Sequence, residues 1–593
     1  MKWNNLISEL KRRHVFKSTI AYLAISWIVI QIASTILPAF NAPEYVLKAL
    51  IYVLSVGLIF WIAFSWVYDL TADGIQKTDD LPIDEETIKL TNKRLNKVIA
   101  GSLSFAVLLL VVVSFWAGSN WNNNVPPLVV TKVAVIPFTY QTDDLEEAYF
   151  KTGMTEALID ELSKVDQLTV ISQSSTEVFT SGLQPGNSLM SNVIKGIDYF
   201  VNGSLKRELN NISVDLELKE SNDANPIWKK SYTKDFSEVR ILWAEVASDL
   251  ARQMSIVVKT EDALLWSGLR SVKPETYELY LKGKHYINKN TLADWERGMI
   301  YLEEALDRNP SDPYAYAFLA EAYITIGHTP DPPPDVFPKA LEAAERAIQL
   351  DSTVALGWAA LSHYHTYFGQ DWALAEYAFE RANELNPNLA YNHFHRSWYL
   401  ALFGRMNEAI AEHKLAQELD PFVPLHTAWL GGLYQMVAMY DEGLEEAEKA
   451  AQMERDYALS LFIKGGIFFD QGKVEEGLKI LKKAYEMDQR WIIGYIPSLI
   501  QAGYIDEAEA IIEELEKLPP NGYRALILAS IYDKMGDFDK AFEYLNYKQK
   551  HGWYPWIRVL FFSDAIRKDP RFLKIISDMN LPDPAPLVYH PEV

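Results

Sequence analysis

The chain of 593 residues contains no cysteine, which excludes disulfides, thiolate metal sites, iron–sulfur clusters and cysteine nucleophiles together. Positive charge is also scarce: 56 Lys and Arg stand against 79 Asp and Glu, a net charge of −23. Such a chain repels polyanions, and no nucleic-acid partner is expected. Phosphate cradles, nucleophile elbows and zinc helices are missing as well, since no GxxxxGK(S/T), GxGxxG, GxSxG or HExxH pattern occurs. What is abundant is apolar and aromatic side chain, 49% and 13% of residues, enough to build several cores.

Charge is distributed unevenly. Residues 1–117 hold 11 Lys/Arg and 9 Asp/Glu, a balance of +2 that leaves −25 for the remainder. Three apolar runs fall there, Ser18 to Leu37, Tyr45 to Tyr68 and Val98 to Ala117, each near the 20 or so residues that span a hydrocarbon core. They predict a three-helix anchor over 18–117, with a cytoplasmic loop over 69–97. Lys2, Lys11, Arg12, Arg13 and Lys17 precede the first run, and the 69–97 loop carries five further basic residues. The positive-inside rule then puts the amino terminus in the cytoplasm and the chain after about residue 118 outside it. Residues 1–17 form an amphipathic segment, with Trp3, Leu6, Ile7 and Leu10 on one helical face.

Beyond the Pro-containing linker, Leu128 to Phe138 reads as a buried strand, Glu146 to Val165 as a helix and Leu168 to Ser172 as a second strand. Asn187 to Gly196 is predicted as a helix, and Tyr199 to Glu208 with Ile212 to Glu220 as a hairpin turning at Leu209 to Asn211. Pro226 to Lys234 adds a strand and Ile241 to Val257 a closing helix. The motifs VAVIPF (133–138), GMTEALIDELS (153–163), LTVISQSS (168–175), DYFVNGSLKRE (198–208) and PIWKKSYTKDF (226–236) resemble the TolB-like amino-terminal domain family. Gln173 stands where that family commonly carries Arg. The resemblance implies an envelope-associated, non-catalytic α+β domain over 128–260.

From residue 274 onward small residues recur with a fixed period. Ala305, Ala347, Ala382, Ala416, Ala450 and Ala484 are spaced by 42, 35, 34, 34 and 34 residues. Gly298, Ala340, Ala375, Ala409, Gly443 and Gly477 run seven ahead of them, and Ala508 and Ala541 extend that series. Small residues seven apart share a helix face where a neighbouring helix approaches closely. The pattern resembles the tetratricopeptide repeat family, with about eight repeats over 274–550. Residues 551–593 are expected to cap the array and end in a tail. The Pro-rich stretch Asp331 to Pro338 is expected as a stiff loop outside any helix.

By that resemblance, the first helix of each repeat faces a concave groove. The positions concerned are Tyr280, Lys284, His363, Tyr367, Phe394, Trp398, Gln435, Met436, Phe462, Phe469 and Asp470, a mainly aromatic surface suited to a protein partner. His363, His365, His393, His395, His413 and His426 cluster in sequence, but residues two apart on a helix point away from each other and cannot chelate one ion. No metal, cofactor or small-molecule substrate is expected.

The fold class expected is mixed: a three-helix transmembrane anchor, a small α+β domain and a carboxy-terminal all-α tetratricopeptide solenoid. The function expected is a non-enzymatic interaction scaffold of the bacterial inner membrane, with residues after about 118 periplasmic and protein partners in the envelope, self-association included. The alternative is a sensory or regulatory membrane protein signalling to a separate cytoplasmic output partner. Similar TolB-like and repeat halves can follow a cytoplasmic cyclase or winged-helix domain, whereas only about 17 residues precede the first apolar run here.

Overall fold

A computed structural model describes residues 44–71, 74–77, 131–140, 148–180, 196–256 except 224, 271–546 except 290, 330, 331, 334, 519 and 520, 554–584 except 560 and 561, and 587, with scattered positions between 15 and 33. The chain divides into two compact units, Met1–Val129 and Val130–Val593.

In the first unit, helix α1 (Glu44–Val67) covers the second apolar run and is followed by a short antiparallel hairpin, β1 (Tyr68–Thr71) and β2 (Gly74–Lys77). Among the described residues no helix is long and apolar enough to cross a membrane, so the transmembrane anchor finds no support in the structure. Side chains of α1 are described only in part, the third run lies outside the described residues, and the first is described at scattered positions.

The second unit opens with β3 (Thr131–Val135) and β4 (Thr139–Tyr140), then α2 (Ala148–Leu162), β5 (Leu168–Ile171) and α3 (Gln173–Thr180). Long strands β6 (Tyr199–Glu208), β7 (Asn211–Glu220) and β8 (Pro226–Asp235) lead through a 3₁₀ turn into α4 (Val239–Gln253). The sheet order is β5-β3-β6-β7-β8, with β4 also beside β6. β3 runs parallel to β5 and β6, and the last three strands are antiparallel. Strict alternation in β7 buries Ile212, Val214, Leu216 and Leu218 against a core where Phe138 stacks on Trp243 at 5.7 Å. The hairpin turn is tighter than expected, two residues, with Leu209 at φ 52°. Helix α3 was not expected. The helix expected over 187–196 falls almost wholly outside the described residues.

Eight helix pairs follow among the described residues: α5/α6 (Pro274–Ile287, Leu292–Arg308), α7/α8 (Pro313–Gly327, Val336–Leu350), α9/α10 (Ala355–Tyr364, Trp372–Leu385) and α11/α12 (Ala390–Leu402, Met406–Leu419). The others are α13/α14 (Pro424–Met436, Tyr440–Met453), α15/α16 (Ala458–Asp470, Val474–Met487), α17/α18 (Ile492–Ala502, Ile505–Lys517) and α19/α20 (Gly522–Met535, Phe538–Leu545). The seven-spaced small residues sit where two helices of a pair touch. A Cβ on Gly298 would come within 2.8 Å of the Gly283 carbonyl, and one on Gly477 within 2.9 Å of the Gly465 carbonyl. Pro332, Pro333 and Asp335 lie outside any helix, as expected, but the end of the Pro-rich stretch departs from expectation. Val336, Phe337 and Pro338 form the first turn of α8, where proline's missing N–H is harmless. Phe337 packs on Phe368 at 3.8 Å.

The end of the chain, α21 (Asp564–Arg567) and α22 (Pro570–Asp578) with a preceding 3₁₀ turn, does more than cap pair eight. Ser563 and Arg571 bond Asp533 and Asp539 of that last pair. The same strap also reaches back across the array: the Trp372 indole donates to the Met579 carbonyl (2.7 Å), and Arg558 donates to the carbonyls of Leu402, Pro582 and Asp583.

Candidate functional site

Residues of the α+β part and of the first helix in pairs one to five meet around a cavity of about 850 Å³, a size common for small-molecule sites. Polar side chains weld the two walls. The Asn388 amide donates to the Ser163 and Leu168 carbonyls and accepts from the Val170 N–H, all within 3.0 Å. The Asp420 carboxylate accepts from the hydroxyls of Ser172, Ser174 and Ser175. Arg240 from α4 lies over the Tyr314 ring at 4.0 Å and pairs with Asp312 at 3.4 Å. Gly153 on α2 abuts Leu281 so closely that a Cβ would lie 2.7 Å from it.

One end of the cavity is ionic. The Lys284 ammonium is 2.9 Å from Asp160 and 3.1 Å from Glu156, both on α2. Burial opposes its charge, but the two carboxylates prevail and hold Lys284 well above its ordinary value. Burial pushes Glu156 up against the pull of Lys284. It pushes Glu321 up to about 7, with Lys284 only partly offsetting it. Three carboxylates thus share one ammonium.

The other end is aromatic and neutral. Helix α9 widens into a π turn over His365–Gly369, with Gln370 in the left-handed region at φ 54°, a feature frequent at functional sites. Tyr367 projects from this turn into the cavity. His363 stacks on His395 at 3.5 Å, and its Nδ1 is bonded to the Tyr391 hydroxyl. Burial, reinforced by neighbouring imidazoles, holds His363 and His395 well below their ordinary value, and burial takes His328 down to about 4. Trp556, from the carboxy-terminal strap, closes this end against Tyr367 (5.4 Å) and Trp398 (5.2 Å).

Of the groove residues named from the sequence, Tyr280, Lys284, His363, Tyr367, Phe394 and Trp398 line this cavity and are each 2–7% exposed. Gln435, Met436, Phe462, Phe469 and Asp470 do not line it. Gln435 donates to Asp470 at 2.8 Å, and Phe462 stacks on Trp491 at 4.6 Å. Sequence reasoning missed Glu156, Glu321, Tyr391 and Trp556. His395 belonged to the noted histidine cluster and lies 32 residues, nearly one repeat, after His363. That spacing, rather than the His-x-His spacing, was the usable signal. His393 and His413 are structural, with both ring nitrogens bonded.

A model of the tetratricopeptide repeat family matches residues 525–546, which cover most of the last helix pair. Over 252 residues the chain is 28% identical to "Putative adenylate cyclase 3" of Rhizobium meliloti, covering 42% of each chain. Over 263 residues it is 22% identical to "Transcriptional regulator HilA" of Salmonella typhimurium, covering 42% of this chain and 44% of that one. The chain therefore spans about two fifths of the length of these curated relatives. Among solved structures, a tetratricopeptide protein of Thermus thermophilus, TTC0263, is 22% identical with a TM-score of 0.28, covering 32% of this chain and 99% of that one. YrrB, "a TPR protein with an unusual peptide-binding site", is 20% identical with a TM-score of 0.24, covering 35% and 98%. The expectation that the chain is no enzyme does not stand: a stretch shared with a protein bearing a cyclase name leaves its enzyme status open.

Proposed function

We propose that this protein is a protein-binding repeat scaffold of the bacterial envelope, held in the inner membrane by its amino-terminal apolar runs, with residues after about 118 in the periplasm. The observation that carries the reading is the array of eight helix pairs, an architecture that presents extended inner surfaces to protein partners. The α+β part and the strap occupy the inner surface of pairs one to four and of the start of pair five, so the partner docks on the end of the first helix of pair five and on pair six, at Gln435, Met436, Phe469 and Asp470. The basic residues flanking the first apolar run and filling the 69–97 loop support the orientation.

A photo-crosslinking residue at Phe469 is expected to capture an envelope protein in cells, and one at Phe394 none. Absence of any adduct from Phe469 sinks the scaffold reading. Protease added to spheroplasts should digest the chain beyond residue 118; protection would overturn the periplasmic placement.

A second reading is regulatory, favoured by the cavity and by the cyclase and transcriptional-regulator names of the relatives. Deleting the 69–97 loop should abolish a transducer's phenotype and spare a scaffold's.

A further inference from the structure

The cavity has two walls of opposite chemistry and one link between them. At the ionic end Glu156 and Asp160 pair with Lys284, and the buried Glu321 lies within its electrostatic reach, so three carboxyl groups face one ammonium and two of them, Glu156 and Glu321, are held where a further cation would favour their ionised forms. At the aromatic end Tyr367, Tyr391, Phe394, Trp398 and Trp556 surround the stacked pair of imidazoles. Tyr391 joins the ends, because it bonds His363 and also lies within electrostatic reach of Glu321.

Among the described residues several polar atoms of the cavity lining make no hydrogen bond, and one of them sits between the two ends. His363 is 2% exposed, lines the cavity, and its Nε2 makes no hydrogen bond. A buried ring nitrogen left unpaired loses the hydrogen bonds it would make in water and gains none in return. Native structures rarely leave such an atom without protein, water or ligand. Because the tyrosine hydroxyl can donate to Nδ1 or accept from it, Nε2 is free to serve as donor or acceptor.

We propose that this cavity binds a small organic cation. Its protonated amine sits between Glu156 and Glu321, its ring-bearing body fills the aromatic end, and one polar atom on that body meets Nε2 of His363. An ammonium meets carboxylates through charge-assisted hydrogen bonds and aromatic faces through cation–π attraction, and the site offers both. An organic rather than a metal cation is indicated, because among the described residues no three His, Asp or Glu side chains are grouped to hold a metal ion. The inference goes beyond the scaffold reading and is independent of it, since Phe469, where the partner is expected to be captured, lies outside the cavity.

The test uses the full chain in lipid nanodiscs, read by tryptophan fluorescence, for Trp398, Trp429 and Trp556 line the cavity. The probes are phenethylamine, benzyltrimethylammonium and the uncharged 2-phenylethanol. The cations are expected to give saturable responses and to raise the unfolding midpoint, the alcohol neither. Glu321→Gln and Glu156→Gln, both nearly isosteric, should each weaken cation binding about tenfold or more. Equal responses to amine and alcohol, no response to either cation up to about 10 mM, or undiminished binding in both variants would each overturn the proposal. If one variant does not fold, the other variant and the comparison of amine with alcohol on the unchanged chain still decide it.

Discussion

Helix pairs one to four and pairs six to eight are built from the same hairpin, yet their inner faces end differently. Tyr280, His363 and Trp398 are 5%, 2% and 6% exposed, pressed against the α+β part, the strap, or each other. Asp470, at the end of the first helix of pair six, stays exposed, and Phe469 beside it is half-buried. The difference lies in what comes to meet the helices. The repeat supplies the position, and only a second element, here α2, α3 or the strap around Trp556, turns a groove residue into a cavity wall.

Breaking the covered half should cost most. Trp556→Ala removes the ring wedged between Tyr367 and Trp398, and a loss of about 3–5 kcal/mol is expected in chemical denaturation. Asp420→Ala strips three serine hydroxyls of their acceptor at the joint with α3. A loss of about 2–3 kcal/mol should follow, visible as a lowered urea midpoint.

Between pH 7 and 5 the buried imidazoles of the covered half should respond most strongly to acid. His328 and His413 stay neutral in the folded chain down to about 4 and about 3, against 6.5 when free. The unfolded chain therefore binds more protons below pH 6.5, and stability falls as pH drops through that window. Glu321, raised from 4.5 to about 7, works in the opposite sense: the folded chain binds the extra proton, so its contribution grows as pH falls from 7 toward 4.5. Glu156, pushed up by burial, acts with it, while Lys284 keeps its charge throughout. The buried imidazoles outnumber these carboxylates, and the melting temperature is expected to be lower at pH 5 than at pH 7. His328→Asn should shrink that gap. On the open half, Asp470→Asn should change stability by less than about 0.5 kcal/mol, and a larger loss would show that this half is also covered.

The repeat helices were legible because their signal is local: small residues seven apart and a period near 34 mark close helix contacts whatever else the chain does. The hairpin of β6 and β7 was legible for the same reason, through the alternation of Ile212, Val214, Leu216 and Leu218. Helix α3 was not, for it is short and rich in Ser and Thr, which are weak helix formers, and the hydroxyls of Ser172, Ser174 and Ser175 at its start are held by Asp420, 245 to 248 residues away. The site was half legible. Repeat geometry pointed to His363 and Trp398 but could not announce Glu156 or Trp556, which arrive from elements distant in sequence. The end of the Pro-rich stretch misled because Pro338 was weighed as a helix breaker, though in the first turn of α8 it breaks nothing.

The strap has a consequence for how the molecule is made. An open array of repeats is a one-dimensional chain in which each hairpin answers only to its neighbours, so it can fold from one end and fray from the other. Arg558 bonded to the Leu402 carbonyl, 156 residues back, and Trp372 bonded to the Met579 carbonyl, 207 residues ahead, close that line into a loop. Such contacts raise the contact order and tie the middle of the array to its end. During synthesis the aromatic face of pairs three and four must wait uncovered until the last forty or so residues emerge, after which the repeats they bridge are expected to melt together rather than one by one.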